Sequence, residues 1–136
     1  MLGEHIANPG AAAHLDSLAA ALVDVIRAAD AMGQVRTLLI ASTDLTHLNN
    51  YAEVVRIDRQ LVDLVGRFAV PELEAALVEE RVQACGATGL VTVLKAARQL
   101  GATHIETLAY TASGDVTGDK RPGAYTVGYL AAVAYR

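Results

Sequence analysis

Asp44 and His47 stand three residues apart in Ala41-Ser42-Thr43-Asp44-Leu45-Thr46-His47. At that spacing the carboxylate can orient the imidazole, or both can address one ligand. They follow a short apolar run, at the point where open α/β sheets form their binding crevice. The structural alternative is that Asp44 closes the turn through backbone hydrogen bonds and His47 is a partly buried residue. Cys85, the one cysteine, lies in Gln83-Ala84-Cys85-Gly86-Ala87 at an expected helix start. The helix dipole favours a thiolate there, and a thiolate binds metal or attacks an electrophile. An unreactive buried thiol is the alternative. Cys85 as nucleophile with His47 as base is a further enzymatic reading. Asp115 and Asp119 lie four residues apart among glycines. Two carboxylates fall short of the ligand set of a calcium loop, so a turn with Asp side chains bonded to backbone is the simpler reading. His104 reads as a surface residue before a strand, and His5 and His14 lie in a Gly- and Ala-rich start with no motif around them. GxGxxG, P-loop, paired CxxC and HExxH patterns are absent, so no nucleotide cofactor is expected.

These residues need a scaffold. From Ala11 to Met32 the apolar residues Leu15, Leu18, Leu22, Val25, Ile26 and Ala29 recur at helical steps, and Gly33 ends the run. Arg36 to Ala41 is nearly free of polar residues and reads as a strand buried on both faces in a parallel sheet. Ser42 to Asn50 is then a loop. A helix is expected from Tyr51 to Gly66, with Val54, Val55, Ile57, Leu61, Val62 and Val65 inward and Asn50 and Glu53 at capping-box spacing. Pro71 opens a short acidic helix through Glu80, and Leu90 to Leu100 is a fourth despite the β-branched Val91-Thr92-Val93. His104 to Thr111 and Ala124 to Tyr135 read as strands joined by the polar loop 113–123. In the last strand Tyr125, Val127, Tyr129, Ala131, Val133 and Tyr135 form a bulky face, and Thr126, Gly128, Leu130, Ala132 and Ala134 a small one. The result is an α/β layered sheet in one domain spanning 1–136. Three strands are few for so many covering helices, which points to a larger sheet completed by another chain or by further sequence.

Composition narrows the function classes. The 136 residues are 53% hydrophobic and 19% charged, which excludes intrinsic disorder. Lys and Arg total 11 against 15 Asp and Glu, a net charge of −4, with basic residues scattered singly apart from Lys120-Arg121. No phosphate-tracking stripe results, so nucleic acid is not an expected partner. Apolar stretches such as Val127 to Tyr135 fall short of the ~20 residues that span a bilayer, and Met1 to His5 lack the pattern of a secretory signal. With a single cysteine, a reducing cytoplasm is the expected compartment.

Taken in order, Ala41-Ser42-Thr43-Asp44-Leu45-Thr46-His47, Asp58, Ala84-Cys85-Gly86, Tyr110-Thr111-Ala112-Ser113-Gly114-Asp115-Val116-Thr117-Gly118-Asp119 and Val127-Gly128-Tyr129-Leu130-Ala131 resemble a known pattern. It is that of the C-terminal half of the Memo-like family, which includes the prokaryotic proteins called AmmeMemoRadiSam system protein B. The resemblance runs from about residue 36 to 136, with Thr43 in place of the family's second serine. It implies a layered α/β/α sandwich with a mixed sheet, similar to the class III extradiol dioxygenases, of which this chain would be half. It further implies iron or copper in a pocket with redox or dioxygenase-like activity. Cys85 would be a metal ligand, His47 a ligand or pocket residue, and Asp44 a pocket residue. The two histidine ligands of the family's N-terminal half have no matching motif here. A non-haem iron centre takes about three protein ligands, so the resemblance implies a site completed by a complementary chain. The alternative is a non-catalytic half-domain that associates with itself as a homo-oligomer without metal.

Overall fold

The computed structural model describes residues 6–8, 10–33 and 37–136. His5 and Arg36 lie outside them. Helix α1 (Ala11–Ala31) buries Ala11, Leu15, Ala19, Val23 and Ile26. This stripe is rotated from the expected one: Leu18 and Val25 are exposed, while Ala19 and Val23 pack against Ala96. Small residues win because they let the two helix backbones approach closely. Helix α2 (Tyr51–Gly66) has the expected bounds, and Asn50 Oδ1 accepts the Glu53 N–H at 3.2 Å. Only half of the capping box forms, since the Glu53 carboxylate pairs with Arg56 at 2.6 Å instead. Pro71 sits in the first turn of α3 (Val70–Val78), and α4 (Ala87–Gln99) starts directly after Gly86, three residues earlier than expected.

The strands are β1 (His47–Leu48), β2 (His104–Ala112) and β3 (Thr126–Tyr135). The short helix α5 (Ser113–Thr117) occupies the start of the expected polar loop. All pairing is antiparallel in the order β1-β3-β2, with a register irregularity between Thr107 and Ala109. The small face of β3 is the core face: Thr126 and Gly128 are buried and Leu130 and Ala134 pack on the core. Tyr129, Val133 and Tyr135 point away and stay exposed, as does Leu108 of β2.

Two expectations are corrected here. Residues 37–46 form no strand, and Leu38 and Ile40 are 78% and 75% exposed rather than buried. An extended segment becomes a strand only when a neighbour takes up its backbone N–H and C=O groups, and this one reaches β3 only at its end. There Leu45 N–H bonds to Gly128 O at 2.9 Å and Gly128 N–H to Thr46 O at 3.0 Å. The second correction concerns the layers. The described residues form a mixed α/β unit with a small antiparallel sheet, covered by α2 and α4 on one face and open on the other, not a closed α/β/α sandwich.

The core joins α2, α3, α4 and the sheet through Leu61, Leu73, Val82 and Val91, each fully buried. Lys95 ties α4 to α1 and α3 by bonds of 2.7 Å to Asp16 and Glu74. Burial alone would lower the Lys95 pKa, but the two carboxylates outweigh it and hold the ammonium above its ordinary value. Among the described residues no helix is long and apolar enough to cross a membrane.

Candidate functional site

The loop before β1 and the start of α4 interlock around Cys85. Cys85 N–H bonds to Asp44 O at 3.0 Å, and Asp44 N–H points back at Cys85 Sγ at 3.2 Å. Thr43 Oγ1 lies 3.5 Å from the same sulfur and accepts the Gly86 N–H at 2.7 Å. The spacing Cys-Gly follows from this packing, because a Cβ on residue 86 would meet Thr43 Cβ at 2.9 Å. The thiol is exposed. The sulfur thus sits between the loop before β1, whose Asp44 N–H and Thr43 hydroxyl face it, and the residues that open α4.

His47 is placed from two sides. Its Nε2 is 3.6 Å from Asp44 Oδ2, and its Nδ1 is 3.3 Å from the Tyr125 hydroxyl, the two rings meeting edge to face. At 3.6 Å the carboxylate steers the imidazole without a hydrogen bond, and Nε2 is left buried with no bonded partner. His47 and Cys85 line one cavity of about 360 Å³, walled by Ile6, Leu45 and Leu77 with Glu80 at its edge. Asp44 does not line it. The residues expected to act together are therefore brought together as a thiol and an imidazole in one cavity, with the Asp44 carboxylate beside the imidazole.

The other candidates lie elsewhere. His14 is exposed on α1. His104 stacks on Tyr135 at 5.7 Å, at the end of the hairpin remote from β1. Asp115 is a turn and cap residue: it accepts the Ala112 N–H at 2.9 Å and the Tyr51 hydroxyl at 2.6 Å, and pairs with Lys120 at 2.6 Å. Lys120, then Tyr51 and the Ala112 amide, hold the Asp115 carboxyl well below the usual range, and Arg121 holds Asp119 down at about 2. A depressed carboxyl contributes stability above its unfolded pKa near 4 and loses it as pH falls through the folded value. Both groups are solvent-exposed, so the contribution is screened by salt. Asp115→Asn is expected to flatten the acid limb of the melting temperature between pH 5 and 2 at low salt. An unchanged limb would place that acid sensitivity elsewhere.

Sequence reasoning gave no role to the buried carboxyl behind this loop. Asp58 is fully buried on α2; its Oδ1 accepts the Thr46 N–H at 3.0 Å and its Oδ2 the Tyr110 hydroxyl at 3.0 Å. It thereby pins β1, which carries His47, to α2 and β2. The signal was present as a lone acid within the apolar stripe Val54, Ile57, Leu61, Val65. Tyr125 and the Thr43 hydroxyl were given no role either, although Thr43 stands inside the motif that holds Asp44 and His47.

Among the described residues no group of three or more His, Cys, Asp or Glu side chains is arranged to hold a metal ion. Thiolate and imidazole suit iron and copper, so the chain's own donors fit half of such a centre and not a whole one.

The model of the Memo-like protein family matches residues 11–133, reaching through α1 and further back than the motifs alone. A MEMO1 family protein of Methanococcoides burtonii is 34% identical over 111 residues, 82% of this chain and 40% of the relative. One from Methanopyrus kandleri is 34% identical over 118 residues, 85% of this chain and 38% of the relative. One from Nitrosopumilus maritimus is 37% identical over 83 residues, 61% of this chain and 30% of the relative. The chain thus spans two fifths or less of the length of these relatives. With the family match covering nearly all of its length and relatives 34% identical over more than four fifths of it, the chain belongs to the Memo-like protein family.

Proposed function

We propose that this chain carries the Cys85 and His47 half of a redox-active iron or copper site, completed by ligands from a complementary polypeptide. The observation that carries the reading is the shared cavity, where an exposed thiol receives a backbone N–H and an imidazole keeps a buried, unbonded nitrogen. A bound metal would supply Lewis acidity or electron transfer; this chain's part is to present the exposed Cys85 sulfur and to fix the His47 ring between Asp44 and Tyr125. A dioxygenase-like oxidoreductase is the enzymatic form of this reading, and a reducing cytoplasm suits its free thiol. The open sheet face with Tyr129, Val133 and Tyr135 is the surface on which the partner sits.

Anaerobic titration of the chain with Cu(I) and Fe(II) tests the site. Cu(I), which thiolates select, is expected to bind at about one per chain, to be lost in Cys85→Ala and to weaken at least tenfold in His47→Ala, while Fe(II) is not retained. Equal Cu(I) binding by Cys85→Ala would overturn the proposal. A second reading, a metal-free oligomeric scaffold, draws on the same open apolar face. It requires a stable homo-oligomer in light scattering whose stability Cys85→Ala leaves unchanged, with no metal bound.

A further inference from the structure

A cavity of about 660 Å³ lies between α4, the segment 37–45 and β3, with Leu90, Val93, Leu94 and Ala97 on its helical wall. Its position is informative because the segment has the periodicity of a strand without being one. Leu39, Ala41 and Thr43 are half-buried and Leu45 buried, while Leu38, Ile40 and Ser42 are exposed. This is a period of two, one face in and one face out.

β3 has a matching vacancy on its edge. Between Gly128 and Tyr135 it pairs with β2 on one side, whereas on the other its pairing with β1 involves Thr126 and Val127. At Gly128 the pairing changes: Leu45 donates to Gly128 O and Thr46 accepts from Gly128 N–H, so two residues oppose one. That is the geometry of a β-bulge, and a bulge shifts the register by one. Continued beyond it, the ladder places Thr43 opposite Leu130, Ala41 opposite Ala132 and Leu39 opposite Ala134. The parity agrees on both strands, since Leu130 and Ala134 are core-facing. It also agrees with Asp44, whose N–H and C=O turn away from β3 to Cys85, as at a position that does not bond across the ladder.

We infer that residues 39–45 form a strap that zips onto the free edge of β3 in this register, closes the cavity and clamps the Cys85 cage. The open form leaves the strap's inward amides without ladder partners; the closed form supplies them. Thr43 and Asp44, both strap residues, already touch Cys85 Sγ with the ladder unmade, and pairing of residues 39–43 with β3 locks those contacts in place around the thiol. The strap is thus a gate on the reactivity of Cys85, built into the chain itself and independent of any bound metal.

A disulfide trap tests the register. Ser42→Cys with Ala131→Cys joins outward-facing residues opposite one another at a non-hydrogen-bonded pair, where Cα atoms lie about 4.5 Å apart, within disulfide reach. Ser42→Cys with Val133→Cys shares the face but is two residues out of register. The first pair is expected to cross-link at least ten times more completely under mild oxidation, with the bond located by peptide mapping, and to slow iodoacetamide labelling of Cys85 at least tenfold. On the unaltered chain, the amides of Leu39, Ala41 and Thr43 are expected to exchange at least tenfold more slowly than those of Leu38, Ile40 and Ser42. Equal cross-linking of the two pairs, or labelling of Cys85 unaffected by the in-register bond, would overturn the strap. So would uniform exchange along the segment, a measurement that stands even where the variants fail to fold.

Discussion

Gly128→Ala is expected to destabilise the chain by about 3 kcal/mol or more, at the upper end of what overpacking costs. A Cβ at this position would fall inside the Asp58 carboxyl group. Neither side can retreat cheaply. Gly128 is bonded through both its N–H and C=O to the loop before β1 and lies opposite Ala112 of β2. Asp58 is fully buried and held at both oxygens. In urea the midpoint should fall by about 1–2 M with an unchanged slope. The cause is checked by a double-mutant cycle, because Asp58→Ala removes the atoms that the new methyl would strike. The double variant Asp58→Ala/Gly128→Ala should be more stable than the sum of the single losses by over about 1 kcal/mol. Additive losses would mean that the glycine is needed for backbone freedom rather than for room.

The same contact explains what could be read from the residues beforehand and what could not. Periodicity and end signals located α2, α3 and the β2–β3 hairpin because each is set by its own local sequence: Asn50 at a helix start, Pro71 in a first turn, alternation through Tyr129 to Tyr135. The Cys85 and His47 cavity was legible as motifs, since short loops hold its parts. Which face of α1 turns inward depended instead on Ala96 of a distant helix, and the expectation favoured large residues where small ones pack. Residues 37–41 have strand composition, but strand formation requires a neighbour, and no local pattern states whether one is present. Asp58 stood out as a lone acid in the stripe of α2, but its role was not legible, as its partners Thr46 and Tyr110 come from outside that helix.

Asp58→Ala alone is expected to cost roughly 3–6 kcal/mol, since a hydrogen bond to a charged group is worth ~1.5–3 kcal/mol and two are lost. Its effect should reach the candidate site. Without Asp58 the Thr46 amide has no acceptor, so β1 and His47 lose their anchor to α2, and Cu(I) affinity is expected to weaken along with stability. Tyr110→Phe separates the two bonds. It keeps the Thr46 anchor and removes only the hydroxyl, so a smaller loss of about 1–2 kcal/mol is expected, with Cu(I) binding intact. It also carries a pH signature. Burial, then the nearby Asp58 carboxylate, pushes the Tyr110 pKa well above its ordinary value near 10. The folded chain therefore favours the neutral phenol more than the unfolded chain does. That contribution is complete below the unfolded pKa near 10 and is lost as pH rises towards the folded value. The native chain should accordingly lose stability between pH 10 and 12, and Tyr110→Phe should lose less over the same interval. If both decline alike, the phenol at position 110 is not held neutral by Asp58. The pin between α2 and β2 would then rest on packing alone, and the effect of Asp58→Ala on His47 would trace entirely to the Thr46 amide.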